Sequence, residues 1–311
     1  MIAIAGYRLL QAGLVALMIG ALTFVLVHSL PGDMAYRIAA GRYGYDLVDT
    51  AAAEAVRREL GLDQPAILAF GAWLWDLLRF ELGVSLVSGV PVVEEIRHQL
   101  GHSVELALVA IFLSLLIGPP IGILAGLRPG SLFDRIVFLV SIGLRALPQF
   151  VIGLLLIYLV SVWAGLLPAA GHGGTRHGIL PALTLALGLA AVSSRVARDA
   201  TLAVTASAYY RFGRTKGLSP GETFRRHGLR NVSVPVLTYL GVQLVYLVEG
   251  VVVVETLFAW PGIGHALVHA IVARDVPMIQ GTALVMGLMF VLLNAAVDLI
   301  CHLIDPRRKE A

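Results

Sequence analysis

The sequence predicts an all-α protein that crosses a membrane six times. Three observations predict it. Of the 311 residues, 58% are hydrophobic and only 14% are charged, against about 25% charged in a soluble domain. The apolar residues collect into runs long enough to span a bilayer, since a helix needs about 20 of them to cross the hydrocarbon core. Between the runs lie short patches rich in arginine.

The first span is Leu9–Leu30, interrupted only by Gln11, Thr23, His28 and Ser29. It is too long for a signal-peptide core and no small-residue cleavage site follows it, so it reads as retained. Five more follow, at Val104–Leu127, Ile136–Trp163, Ile179–Val196, Val232–Phe258 and Gly281–Ile304. Pro119 and Pro120 predict a kink in the second. The fourth is rich in small and hydroxyl residues, which suits close packing among other helices. Three regions result: 1–30, the N-terminal end and first span; 31–101, extracytoplasmic; and 102–311, a core of five spans with a long cytoplasmic loop at 197–231. In the extracytoplasmic region, Asp49 or Thr50 opens an amphipathic helix that ends near Gly61, and "FGAWLWDLLRFELG" carries Trp73 and Trp75 for a membrane interface, the region reading as a small helical cap packed on the spans or as a surface that receives a partner.

Six spans put both termini on one side. With the N-terminus inside, 14 cations fall in cytoplasmic segments and eight outside, and residues 31–101 carry ten acids against six bases. Cytoplasmic excess of Lys and Arg sets orientation, so both ends are expected in the cytoplasm. A net charge of +3 with no accompanying motif gives no reason to expect nucleic acid. Phosphate-loop, nucleophile-elbow and zinc-protease motifs are all missing, so no catalytic residues are expected and no bound ATP. Cys301 is the single cysteine. His98 with His102, and His265 with His269, share the i, i+4 spacing of metal ligands, but no acid or cysteine completes either set and no metal site is assigned.

The stretch "GRTKGLSPGETFRRHGLRN", Gly213–Asn231, stands out for its polarity. Ser219 reads as a helix cap, Pro220 as the first helical residue and Glu222 as the capping-box partner. Phe224 with His227 or Gly228 forms one face, and the short helix is expected to stop near Gly228. Two turns are marginal alone, so something else must hold them.

These residues resemble a known family. "YYRFGRTKGLSPGETFRRHGLRNVSVPVLTYLG" is similar to the cytoplasmic loop of ABC-importer permeases, above all the first permease subunit of the dipeptide, oligopeptide and nickel branch. "VVVVETLFAWPGIG", "ARDVPMIQG", "NAAVDLICHLIDPR", "VHSLPGD" and "LGLDQP" continue the likeness along nearly the whole chain. The resemblance implies a type I ABC-importer permease fold in a bacterial cytoplasmic membrane. It implies as partners a second, homologous permease, two cytoplasmic ATPase subunits that bind the ATP, an extracytoplasmic binding protein and membrane lipid. It implies that the loop docks an ATPase, through Arg214, Lys216, Gly217, Ser219, Glu222, Phe224, Arg225, Arg226, His227 and Arg230. The family's Glu-Ala-Ala is replaced by Arg211, Phe212 and Gly213, and Gly213 predicts a looser docking helix, by ~1 kcal/mol relative to alanine.

Translocation or gating candidates are the intramembrane charges Arg145, Glu249, Glu255 and Asp298, since such groups are costly and mark function. Arg145 is a candidate for pairing with an acid on another helix. Trp260, Pro261, Gly262 and Gly264 join the candidates because irregular backbone near a membrane survives only where it is buried or lines a cavity. The resemblance implies that this stretch sits on the outer face near the pathway. "FGAWLW", "LPAAGHGG", "HGILPA" and "FAWPGIG" lie closest to nickel permeases, so nickel or a nickel complex is the expected cargo, with di- or oligopeptides as the alternative. An ATP-independent channel or secondary transporter, or a receptor, are the rival classes.

Overall fold

The computed structural model describes residues 2–29, 31–44, 46, 48–60, 66–79 and 81–304, excepting the side chains of residues 2–9, 27–28, 66, 77–78, 245–246, 248–249 and 297–304. In chain order its helices are α1 (Ile2–Ser29), α2 (Met34–Tyr43), α3 (Thr50–Leu60), α4 (Ala66–Leu78), α5 (Val92–Leu127), α6 (Leu132–Ala146), α7 (Gln149–Leu156), α8 (Thr175–Ala206), α9 (Ala208–Thr215), α10 (Pro220–Thr223), α11 (Leu229–Leu257), α12 (Ile263–Ala273) and α13 (Val276–Ile304). Two π-helical stretches, Ile157–Trp163 and Phe224–Gly228, follow α7 and α10. Among the described residues the chain has no β-strand, only a bridge between Val84 and Pro91.

Each expected span lies mostly on helix, with Leu30 outside the described residues and a break at Leu147–Pro148. Among the described residues three helices are long and apolar enough to cross a membrane alone: Val92–Leu127, Thr175–Ala206 and Val276–Ala296. The expected third span is not one rod. It is α6 and α7 with its π extension, bent by 109° at a break. Pro148 lacks an N–H, and the residue before a proline is pushed out of the helical region; Leu147 accordingly sits at φ −85°, ψ 134°. By contrast α5 runs on through Pro119 and Pro120. The expected fourth span also extends further than its apolar run, to Ala206, so residues 197–206 are helix rather than loop.

The chain divides into two compact units, residues 1–103 with 261–292, and 104–260 with 293–311. In the first, Val92 and Ile96 of α5 pack with Ile263, Ala270, Met278 and Ile279. Gly20 of α1 lies so close to the Trp73 ring of α4 that a Cβ would overlap it. Trp73 is thus a packing residue, while Trp75 stays 56% exposed. Asp49 Oδ1 accepts from Ala52 N at 2.7 Å and opens α3; Gly61, the expected stop, lies outside the described residues. A buried carboxylate, Asp275, ties the loop before α5 to the start of α13. It accepts from Ser85 Oγ, from Leu86 N at 3.1 Å and from Met278 N at 3.3 Å.

The second unit is built on α8, which buries residues along most of its length. Leu106, Leu180, Leu185, Val254 and Phe258 form one core, and Ala197, Tyr210, Val232 and Val236 another. Gly118, Gly122 and Gly126 of α5 form a four-residue stripe laid against α8. A Cβ at Gly118 would stand 2.8 Å from the Ala190 carbonyl oxygen, one at Gly126 2.7 Å from that of Arg198, and one at Gly122 would overlap that of Ser194. Both series advance by four along their helices, so the two run parallel. Small residues repeated in this way bring helix backbones together in lipid.

Candidate docking knot and polar cavity

Residues 207–231 form a helical knot. Ser207 Oγ caps α9, accepting from Tyr210 N. Gly217 closes it at φ +88°, the left-handed region that glycine enters without steric cost. The capping box expected from the sequence is present: Glu222 N donates to Ser219 Oγ at 3.2 Å, and Ser219 N donates to Glu222 Oε2 at 3.1 Å. The bonds that Ser219 N and Ser219 Oγ donate to Oε2, then the nearby Arg226 charge, hold the Glu222 carboxyl below its ordinary value of 4.5.

The helix does not stop at Gly228. It passes through a π-helical turn, Phe224–Gly228, straight into α11. Gly228 is an approach point rather than a terminator, because a Cβ there would stand 2.6 Å from the Phe224 ring. Phe224 is half-buried against the core of Tyr210, Val232 and Val236. Thr223 is fully buried, and its Oγ1 donates to Ser219 O at 2.8 Å. Gly213 is buried too. A Cβ there would meet Thr223 Cγ2 at 3.1 Å, so this glycine admits a close contact between α9 and α10 instead of only loosening a helix.

The knot turns its polar residues outward. Arg214, Lys216, Gly217, Ser219, Glu222, Arg225, Arg226, His227 and Arg230 are all exposed, while Phe224 packs inward. Arg214 Nη1 donates to Leu218 O at 2.6 Å and the Lys216 ammonium sits 4.7 Å above the Phe212 ring. Tyr209, Phe212 and Leu229 remain 45%, 60% and 47% exposed among these charges. All three stand in the quoted motif, but their exposure is not legible from it. Exposed aromatics ringed by cations are the usual make-up of a protein-binding surface.

The pathway candidates scatter. Arg145, at the end of α6, lines a cavity of about 320 Å³ with Gln149, Gly188, Gln243 and Gly250. It makes no ion pair among the described residues. A part-buried ion pair involving the same helix appears instead: Arg198 Nε and Nη2 donate to Asp134 Oδ1 and Oδ2 at 2.6 and 2.8 Å. It ties α8 to the first turn of α6. Glu255 is fully buried near the end of α11, and its carbonyl accepts from Trp260 N at 2.8 Å. Trp260 is buried beside the His172 ring, centroids 4.8 Å apart. Neither lines the cavity. The helix break runs from Phe258 to Gly262, with Ala259 at φ +48°. Pro261 and Gly262 lie in it, but Gly264 is inside α12. Glu249 and Asp298 stand on α11 and α13, with side chains outside the described residues. The rings of His98 and His102 stack edge-on at 4.8 Å and those of His265 and His269 at 4.4 Å. Among the described residues no group of three metal-ligating side chains comes together.

Comparison with known proteins was decisive for the family. Residues 118–310 match the family described as binding-protein-dependent transport system inner membrane component. The chain belongs to this family. The permease is 38% identical over 308 residues to a putative peptide transport system permease protein of Brucella abortus, covering 96% of each chain. It is 36% identical over 288 residues to the glutathione transport system permease protein GsiC of Escherichia coli K12, covering 93% of this chain and 92% of the relative. A solved amino acid ABC transporter shares its fold, with a TM-score of 0.54 at 15% identity, over 68% of this chain and 94% of that one. The protein is therefore a non-catalytic, multi-pass membrane subunit of an ABC importer, with relatives named as peptide and glutathione permeases.

Proposed function

We propose that this permease forms half of a peptide-conducting pathway and is driven by ATPases gripping the knot at residues 207–231. The observation that carries the grip is the knot's construction. Tyr210, Thr223 and Phe224 are spent on internal packing, so the exposed arginines and Phe212 stand on a fixed base and can transmit a push to α11. The mechanism is alternating access: ATP binding in separate subunits closes them, the knot moves, and the helices exchange inward- and outward-open arrangements. Only a difference in contacts between two states lets a nucleotide shift the balance. A second permease completes the pathway, a binding protein delivers cargo from outside, and both termini face the cytoplasm.

For cargo, small peptides are favoured over nickel. The relatives described above are named for peptides and glutathione, and the cavity beside Arg145 is cationic, which suits a carboxylate better than a bare metal ion. Two measurements test this reading. Replacing Glu222, Arg225 and Arg226 together by alanine should reduce co-purification of the ATPases about tenfold or more, the loss of several charge-assisted contacts, with membrane insertion intact. Undiminished co-purification sinks the docking assignment. Vesicles holding the full importer should accumulate labelled dipeptide and not nickel(II) ions; the reverse would restore nickel as cargo.

A further inference from the structure

We infer that the cavity beside the bend of α6 and α7 is a cargo-contact site, in which Gln149 takes a peptide N–H and Arg145 takes a carboxylate. This rests on the peptide reading above and assigns its contact residues. Gln149 opens α7, and its Oε1 is buried with no hydrogen-bond partner among the described residues. A buried carbonyl left without a donor is costly, so such a group in a native chain calls for an explanation. Gln243, on the same wall, is already used: its Nε2 donates to Leu189 O at 3.1 Å.

The space around Gln149 is built by glycines from two other helices. A Cβ at Gly250 of α11 would overlap Gln149 Oε1, and one at Gly188 of α8 would stand 3.5 Å from its Nε2. The carboxamide is thus cradled at the wall of a cavity of about 320 Å³. A carboxamide presents one acceptor and a donor pair, which matches the N–H and C=O of a peptide bond.

Charge selects the second feature of the ligand. Arg145 also lines an adjoining cavity of about 350 Å³ with Ser141 and Arg195. The Arg195 guanidinium lies 4.8 Å above the Phe138 ring. Among the described residues, none lining either cavity is acidic. Cations at membrane depth are costly and face cavities or partners; Arg195 has Asp199 one turn on, Nη2 to Oδ1 3.8 Å, while Arg145 faces the cavity with no counter-ion among the described residues. A carboxylate supplies one, whereas a bare divalent cation is repelled. The backbone break at Leu147–Pro148 fits the same place, since interrupted helix in a membrane is tolerated where it lines a cavity.

The test uses the whole importer, with both permeases, the ATPases and the loaded binding protein, in phosphatidylcholine vesicles and in vesicles containing phosphatidylglycerol. Uptake of labelled alanyl-alanine and of glutathione is measured beside ATP hydrolysis. Arg145→Ala and Gln149→Ala should each lower uptake about tenfold, the worth of one good polar contact. ATP hydrolysis should stay within about twofold of wild type, so that peptides moved per ATP fall. Arg145→Lys, which keeps the charge, should recover most of the uptake. Unchanged uptake in both alanine variants overturns the site. So does a parallel fall of uptake and hydrolysis that Arg145→Lys does not repair, because that marks a structural role. A defect confined to the vesicles with phosphatidylglycerol would reassign Arg145 to a lipid headgroup. If the wild-type importer moves neither peptide, the peptide reading itself fails, an outcome distinct from wild-type uptake that the variants leave untouched.

Discussion

Glu222 shows what a single side chain can settle. Serine, proline and glutamate at 219, 220 and 222 specify a helix start by hydrogen bonding alone, and the structure holds both reciprocal bonds. Their dependence on the carboxylate sets a pH response. The folded-state value of Glu222 is lowered from 4.5, so the unfolded turn binds the proton more tightly than the folded one. The cap is therefore fully stabilising above about pH 4.5 and is lost as pH falls through the lowered folded value. Amide exchange at Ser219 and Glu222, corrected for its intrinsic pH dependence, should accelerate over that acidic window in the wild-type protein. Glu222→Gln, which cannot titrate, should remove the acceleration; an unchanged pH profile would contradict the cap's role. Gly213 and Gly228 mark the limit of reading residues singly. Glycine signals either a helix stop or a close approach, and only the neighbours Thr223 and Phe224 decide between them.

At the scale of elements, the helices were legible because apolar runs in a chain this poor in charge have no other home. Their interruptions were less so. Hydropathy does not register the turn that Pro148 forces, so α6 and α7 read as one span from Ile136 to Trp163. Pro119 and Pro120, by contrast, leave α5 an unbroken helix. The cavity stayed hidden for a different reason: Gln149, Gly188, Gln243 and Gly250 stand on three helices, α7, α8 and α11, and no local spacing links them. The glycine stripe of α5 was visible in "GPPIGILAG", but its meaning depends on the backbone of α8. It supports a prediction. Gly122→Ala would drive a methyl into the Ser194 carbonyl, which no rotamer change can relieve. Overpacking of this kind costs about 1–3 kcal/mol, so the detergent-solubilised importer should melt lower. Gly143→Ala, where a Cβ meets nothing within 4 Å, should melt as wild type. Equal melting of the two variants would show that α5 and α8 do not touch along this stripe.

At the scale of the whole molecule, the parallel run of α5 and α8 constrains topology. Two parallel spans cross in the same direction, so an odd number of crossings separates consecutive ones of this pair. The bent α6–α7 pair, counted as one crossing, satisfies that condition and returns the chain to the side where α5 began. The end of α5 at Leu127 and the end of α8 at Ala206 then share a side, and the knot at 207–231 shares it too. Arginine predicts which side this is. Arg128, Arg135, Arg198, Arg211, Arg214, Arg225, Arg226 and Arg230 all gather there, and cations near span ends stay in the cytoplasm. The same rule predicts the acid-rich segment 31–101 on the outside. With Cys301 replaced by serine, single cysteines at Ala51→Cys and Lys216→Cys report the two sides, both positions being exposed. A membrane-impermeant maleimide applied to cells with a permeabilised outer membrane should label Ala51→Cys at once. It should reach Lys216→Cys only after the inner membrane is breached. Labelling of Lys216→Cys in cells with an intact inner membrane would invert the topology, and an ATPase could then no longer reach the knot.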